Sequence, residues 1–309
     1  MIRSSIQTVT GSVPADAVGV TLPHEHLFLT MWANGGQGSL LQMRDETLLL
    51  SELEAFRAAG GTCLVDLTPR GCGRDPAGVK RLAEASGLFI VMGCGWYTEP
   101  FYPPTDALQR RSVDSIAAQL VEEIEQGMDG SDVKPGVIGE IGVAQGWISA
   151  LEERVHRAAA RAQVRTGLPL STHTTYSDVG LAQLDLFAEE GVDLSRVCIS
   201  HCDSQPYLDY CLAVVERGAY VGFDNLGAPM GRLEERIAAL VGDLVARGHG
   251  ARILLSHDVG QMHELRFFGG RGFTYLLESF LPRLRSAGLS EDIVNELITT
   301  NPKRFLAID

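Results

Sequence analysis

Apolar positions along this chain follow two alternating rhythms. Short continuous runs of the kind that form buried strands are Gly19-Val-Thr-Leu22, Thr62-Cys-Leu-Val-Asp-Leu67, Leu88-Phe-Ile-Val-Met92 and Gly136-Val-Ile-Gly-Glu-Ile-Gly142, and further runs end at His173, His201, Asp224 and Asp258. Between them, apolar residues recur three and four apart, which predicts helices with one buried face. Leu49, Leu53 and Phe56 form one stripe, opening at Asp45 as N-cap and closing at Gly60-Gly61; Leu82 and Ala85 mark a second; Val113, Ile116, Ala117, Leu120, Val121 and Ile124 mark a third that stops at Gly127. Helices are predicted near 149–166, 177–190, 205–216 and 232–247, then along Phe273, Leu276, Leu277, Phe280, Leu281 and Leu284, with a short terminal helix ending at Asn301-Pro302.

Strand and helix in strict alternation imply parallel strands joined by helical crossovers. Eight strand candidates, polar residues gathered at strand C-termini and no Gly-Xaa-Gly-Xaa-Xaa-Gly after the first strand favour a (β/α)8 TIM barrel over an open doubly wound sheet. Two β-branched segments around Gly11-Ser-Val-Pro14 predict a short N-terminal hairpin across one barrel end, and the Phe273 stripe an extra C-terminal helix. Trp32-Ala-Asn-Gly-Gly-Gln-Gly38 reads as irregular. With 309 residues, 45% hydrophobic, and no dividing linker, one domain over 1–309 is expected.

Charge narrows the partners. Lys+Arg number 26 against 39 Asp+Glu, a net charge of -13 that repels nucleic acid and anionic membranes while allowing a small substrate, even an anionic one held by a local arginine. No secretory signal or membrane-spanning run is present, and the six cysteines show no paired metal spacing, so reduced, mostly buried thiols and a cytoplasmic location are expected.

The candidate chemistry sits where strands stop. His24 and His26 are one strand repeat apart and share a face; His173, His201 and Asp258 end other strands, and Glu140 places a carboxylate inside an apolar one. His24, His26 and Asp258 can hold one metal, His173 and His201 another, with Glu140 bridging both; this nitrogen and oxygen mix suits Zn²⁺, with Mn²⁺, Co²⁺ or Fe²⁺ as alternatives. Taken one at a time, each histidine reads more readily as a satisfied structural residue, and only the set of six points to metal.

The same residues resemble the phosphotriesterase family of the amidohydrolase superfamily along nearly the whole chain. The likeness rests on Thr8-Val-Thr-Gly11, Leu22-Pro-His-Glu-His26, Gly95-Trp-Tyr97, Ser200-His201-Cys-Asp203, Ser256-His-Asp258, Gly269-Gly-Arg-Gly272 with Phe273-Thr-Tyr-Leu276, and Asn301-Pro. Well-studied members bridge their metals with a carboxylated lysine, whereas the fourth strand here carries Glu140; Lys134 precedes the strand and is out of register. The chain is therefore similar to a glutamate-bridged branch, which weakens any inference to phosphotriester hydrolysis. Gly-Glu-Ile-Gly also resembles the TatD-like deoxyribonucleases, a nucleic-acid alternative that the acidic charge and the end motifs disfavour.

The resemblance implies two divalent ions sharing a hydroxide that attacks a carbonyl or phosphoryl centre, with Asp258 taking the proton. Tyr97 matches a family position from which a phenol reaches the reacting oxygen, and reads equally as an aromatic lid on Trp96 or Phe101. His263, Arg266 and Arg271 follow the eighth strand, where substrate selection is expected, against the alternative of solvated or rim-paired loop residues. His257 points away from the interior as a packing residue, Asp224 either lines the pocket or caps a turn, and His156 and His249 receive no chemical role. A small lactone or carboxylic ester is the leading substrate, an N-acyl amide the second, phosphotriesters at most incidental; a non-enzymatic barrel would predict a missing ligand, and none is missing. A homodimer is what the resemblance suggests.

Overall fold

The computed structural model describes residues 4–32, 38–228 and 233–309. Its strands are β1 (Ser5–Thr8), β2 (Gly11–Pro14), β3 (Thr21–Glu25), β4 (Leu29–Trp32), β5 (Gly38–Met43), β6 (Cys63–Asp66), β7 (Phe89–Cys94), β8 (Val137–Gly142), β9 (Leu170–His173), β10 (Val197–Ile199), β11 (Tyr220–Phe223) and β12 (Ile253–Leu255). Eight of them form one parallel sheet in the order β3-β6-β7-β8-β9-β10-β11-β12, which curls into a nearly closed TIM barrel. Around it run α1 (Glu46–Ala58), α2 (Pro76–Ser86), α3 (Val113–Gln126), α4 (Ala150–Thr166), α5 (Gly180–Glu189), α6 (Leu208–Glu216) and α7 (Leu233–Ala246). Each helix turns its apolar stripe inward, and the start signal read at Asp45 operates, accepting from the Thr47 and Leu48 amides at 3.0 and 3.1 Å; Ser149 adds a capping box with Glu152.

No backbone ladder joins the outer strands β3 and β12; a buried carboxylate does much of that work. Glu25 Oε1 accepts from Ser256 Oγ at 2.7 Å, from the His257 amide at 2.9 Å and from His257 Nδ1 at 2.8 Å, while Oε2 accepts from the Val259 amide at 2.9 Å. Two backbone bonds complete the seam, from the His26 amide to Val259 O and from the Asp258 amide to His24 O, each 3.1 Å. Because side chains alternate along a strand, Glu25 faces the closure while His24 and His26 on either side face the barrel mouth. His257 is fully buried and accepts from the Leu276 amide at 2.7 Å, so it packs the wall, as its parity in the sequence requires.

Two apolar layers result. One lies between sheet and helices; the other fills the barrel itself with Cys63, Val65, Val91, Val137, Cys198, Tyr220 and Leu254. The β1–β2 hairpin caps that interior, inserting Ile6 beside Phe305 and pairing Ser5 with Ile308. All six cysteines are buried and unpaired, and no helix among the described residues is long and apolar enough to cross a membrane.

Two expectations change. The chain flanking the Gly-rich stretch pairs as antiparallel β4 and β5, while residues 33–37 of that stretch lie outside the described residues. The terminal helix does not end at Asn301-Pro302; helical backbone runs from Glu291–Asn295 through a π-helical turn at Glu296–Thr300 into Asn301–Leu306, and the wider turn carries the chain past the proline. Replacing Glu25 with alanine is expected to cost on the order of 3–5 kcal/mol, since it strands the buried donors of Ser256, His257 and Val259 on the β12 side of the seam. Urea denaturation measures this, and a loss under about 1 kcal/mol would mean that the seam does not depend on the carboxylate.

Candidate metal centre

Bulges place the interior carboxylate. The β8–β9 register shifts between Ile138 and Ile141, so Glu140 leaves the regular alternation and turns into the barrel mouth. Gly139 lets this happen: its φ is +141°, and a Cβ there would sit 2.3 Å from Ser171 O. A second shift, between Leu22 and Glu25, falls on Pro23-His24 in β3. His201 and Asp258 follow their strands by two and three residues and both adopt left-handed backbone, at φ 58° and 57°, which swings their side chains back over the barrel axis.

Four imidazoles and two carboxylates converge as a result, and each ring has one nitrogen anchored on its outer side. His24 Nδ1 and His201 Nδ1 donate to the two oxygens of Asp224 at 2.8 and 2.7 Å. His26 Nδ1 meets Thr68 Oγ1 at 3.0 Å, and His173 Nε2 meets the Tyr97 hydroxyl at 3.1 Å. The opposite nitrogens face inward. His26 Nε2 lies 3.0 Å from Asp258 Oδ1, and His173 Nδ1 lies 2.8 Å from Glu140 Oε2 and from His201 Nε2. His24 Nε2 is buried with no hydrogen-bond partner, 3.7 Å from both Glu140 Oε2 and Asp258 Oδ1. Donor atoms of His24, His26 and Asp258, and of His24, Glu140 and His201, each lie within 4.8 Å of one another, close enough to share an ion. His201, Asp203 and Asp224 form a third such group, but Asp224 is engaged by the two rings and Asp203 by Asn225.

Electrostatics follow from this crowding. Burial alone pushes Glu140 up, yet His173, His201 and His24 hold it well below the usual carboxylate range. Asp224 and Asp258 are likewise lowered against burial by the rings they face. Burial works against the charged form of His26, but Asp258, Glu140 and Asp66 carry it up to about 9; His24 and His201 are raised by Asp224 and the same two acids. His173 is lowered, by burial and by the neighbouring His201 charge. The raised rings of His24, His26 and His201 thus face the lowered carboxylates of Glu140, Asp224 and Asp258. Burial, with Glu140 and Asp258 nearby, keeps the Tyr97 phenol protonated.

The mouth encloses about 220 Å³, with Leu29, Met31, Pro69, Cys72 and Ala228 on an apolar wall and Tyr97, Asn225, Gln261, Glu264 and Arg271 as polar lining. Tyr97 does both things its position suggested: its ring packs on Phe101 at 5.4 Å while its hydroxyl reaches His173. Its loop is fixed by buried Trp96, whose Nε1 donates to Asp106 at 2.6 Å. Of the three residues expected to select substrate, Arg271 lines the cavity, whereas His263 and Arg266 are exposed and do not. Asp224 proves to be neither pocket wall nor turn cap but the clasp on two imidazoles; its signal in the sequence was its place at a strand end, the same as the histidines'. Thr68 and the β4 residues Leu29 and Met31 carried no such signal.

The ring sits at the C-terminal ends of the barrel strands, the face on which TIM-barrel enzymes carry their active sites. Residues 4–306 match the phosphotriesterase family, and the chain belongs to it. It is 38% identical over 291 residues to a phosphotriesterase homology protein of Escherichia coli, covering 94% of this chain and 98% of that protein. It is 30% identical over 349 residues to an N-acetyltaurine hydrolase of Danio rerio, covering 99% and 98%. A lactonase structure from Listeria monocytogenes superposes with a TM-score of 0.91 at 25% identity, covering 99% of this chain and 100% of that one. The family match places the chain with phosphotriesterase-like enzymes, not with the TatD-like nucleases.

Two outcomes follow for the site. A histidine raised from 6.5 to about 9 contributes stability that is complete below 6.5 and lost as pH rises through about 9. Chelator-treated protein should therefore lose stability over that window, about 3 kcal/mol from His26 alone, while metal-loaded protein should not; a chelator-treated protein with pH-independent denaturation would contradict the charge balance. Asp224→Asn should weaken metal affinity about 10–100-fold by releasing two rings, read by competition with a chromophoric chelator, and wild-type affinity would show that the clasp is dispensable.

Proposed function

We propose that this chain is a metal-dependent hydrolase of small carboxylic esters and lactones. Its two divalent cations, zinc foremost, would be held by His24, His26 and Asp258 and by His173 and His201, with Glu140 shared between them. The observation that supports this best is the orphaned inner nitrogen of His24 amid rings whose outer nitrogens are already engaged. Buried imidazoles pinned in this way fit metal ligation better than structural packing. Bound there, the cations would supply Lewis acidity and a water acidic enough to ionise near neutral pH.

The chain's own groups supply the rest. Asp258 is ionised and its side chain is 24% exposed, the most open of the six ligands for which exposure bears on proton traffic, so it can take a proton at Oδ and pass it to a leaving group at the cavity. Tyr97 stays protonated; with His173 Nδ1 turned to Glu140, Nε2–H donates to the phenolic oxygen and leaves the phenolic O–H to donate to a substrate oxygen. The apolar wall of Leu29, Met31, Pro69 and Ala228 suits an acyl chain or ring, and the volume suits a small one. Glutamate in place of the carboxylated lysine leaves phosphotriester turnover incidental.

N-acyl amides are the second reading, supported by the N-acetyltaurine hydrolases that align with the chain from end to end. The test is a screen of the zinc- or cobalt-loaded protein across lactones, aryl esters, N-acyl amines and phosphotriesters. Lactone or ester turnover is expected to dominate, with Asp258→Asn lowering kcat about 10²–10⁴-fold when assayed at saturating metal. Faster turnover of N-acyl amines would favour the second reading, and unchanged kcat in the variant would remove Asp258 as proton carrier.

A further inference from the structure

Arg271 sits in Gly269-Gly-Arg-Gly272, in the loop region after β12, and its place on the cavity wall invites a role in binding a substrate anion. Its contacts point elsewhere. The side chain is 6% exposed and its Nη2 donates to Glu264 Oε1 at 2.7 Å and to Asp258 O at 3.4 Å. Nη1 donates to Leu226 O at 2.9 Å and Asn225 O at 3.4 Å, on the two residues that follow Asp224. Glu264 in turn accepts from the Gly260 and Gln261 amides with its other oxygen, both at 3.0 Å. One guanidinium thus ties together the loops after β11 and β12, each of which carries a carboxylate of the centre.

The glycines around it serve this contact. A Cβ on Gly270 would lie 2.1 Å from the Glu264 backbone carbon, and one on Gly227 would lie 2.8 Å from Tyr275 Cδ1 and 3.0 Å from Arg271 Cδ, so side chains there would displace the backbone that carries Glu264 and crowd the arginine stem. Asp258 needs such support, because a non-glycine residue at φ 57° holds its conformation only when its surroundings fix it. An incoming anion would have to compete with Glu264 for a charge already matched. Nε alone has no partner, and it is buried.

We infer that Arg271 is a positioning residue: with Glu264 it fixes the loops after β11 and β12 and so aims Asp258 into the centre, instead of receiving an anionic group of the substrate. This rests on the metal-dependent reading above. The test uses full-length protein with Arg271→Met, Arg271→Lys and Glu264→Gln, two readouts and two substrates. Cobalt binding is followed by its visible absorption, and kcat and KM are measured on phenyl acetate and on a ring-sulfonated analogue.

A positioning role is expected to lower cobalt affinity about 10–100-fold in Arg271→Met, and to lower kcat by a similar factor on both esters with KM little changed. Arg271→Lys should not rescue it, since one ammonium cannot reproduce the planar fork. Glu264→Gln keeps the arginine and covers the case in which Arg271→Met fails to fold. It separates the two roles by sign: kcat and cobalt affinity fall if the pair positions Asp258, whereas KM for the sulfonated ester falls if the freed guanidinium receives anions. Wild-type cobalt affinity and kcat in the variants, or a KM change confined to the sulfonated ester, would overturn the inference while leaving the hydrolase reading intact. A wild-type chain that binds no cobalt would overturn both.

Discussion

A fully buried, ionised Glu140 is the constraint that organises this molecule. Taking a carboxylate out of water costs several kcal/mol unless positive charge and hydrogen-bond donors surround it, and here four imidazoles face it. Protons on three of those rings can supply the positive charge, or divalent ions can, and the geometry accommodates either. Asp224 clasps two rings from behind, Thr68 anchors a third and Tyr97 the fourth, so none of them has to reorganise when its inner nitrogen changes partner. Preorganisation of this kind is what separates a site from a collection of polar residues.

The same economy of strand geometry closes the barrel. His24, Glu25 and His26 are three consecutive polar residues in a buried strand, and alternation sends the outer two to the mouth and the middle one to the seam with β12. Asp258 is then held from two sides, by the Glu25 bonds to its neighbours His257 and Val259 and by the Arg271 bond to its own carbonyl. Fold closure and site geometry therefore share residues, and damage to either should be felt in the other.

Much of this was legible in the chain. Strand and helix rhythm gave the barrel and its helices, and the six converging donors were visible because polar residues at strand ends interrupt apolar runs. Asp224 was visible but ambiguous, since one acid at a strand end cannot announce that it will face two rings from strands far apart in sequence. Arg271 was read as a surface-loop residue or a substrate contact because its acceptors are mostly backbone carbonyls, which leave no mark in a sequence. The β4–β5 pair escaped because glycines mask the alternation that defines strands, and the terminal helix was ended early because the π-helical turn before Pro302, which carries the helix past it, leaves no mark in the sequence.

The sharing of one glutamate between two cations is tested most directly by metal content. Wild-type chain and Glu140→Gln, each reloaded with zinc and freed of excess, would be compared by plasma mass spectrometry. Two zinc ions per wild-type chain, falling to one or none in the variant at an unchanged fold, are expected of a carboxylate that joins both ions. Two ions in both proteins, or none in either, would contradict it.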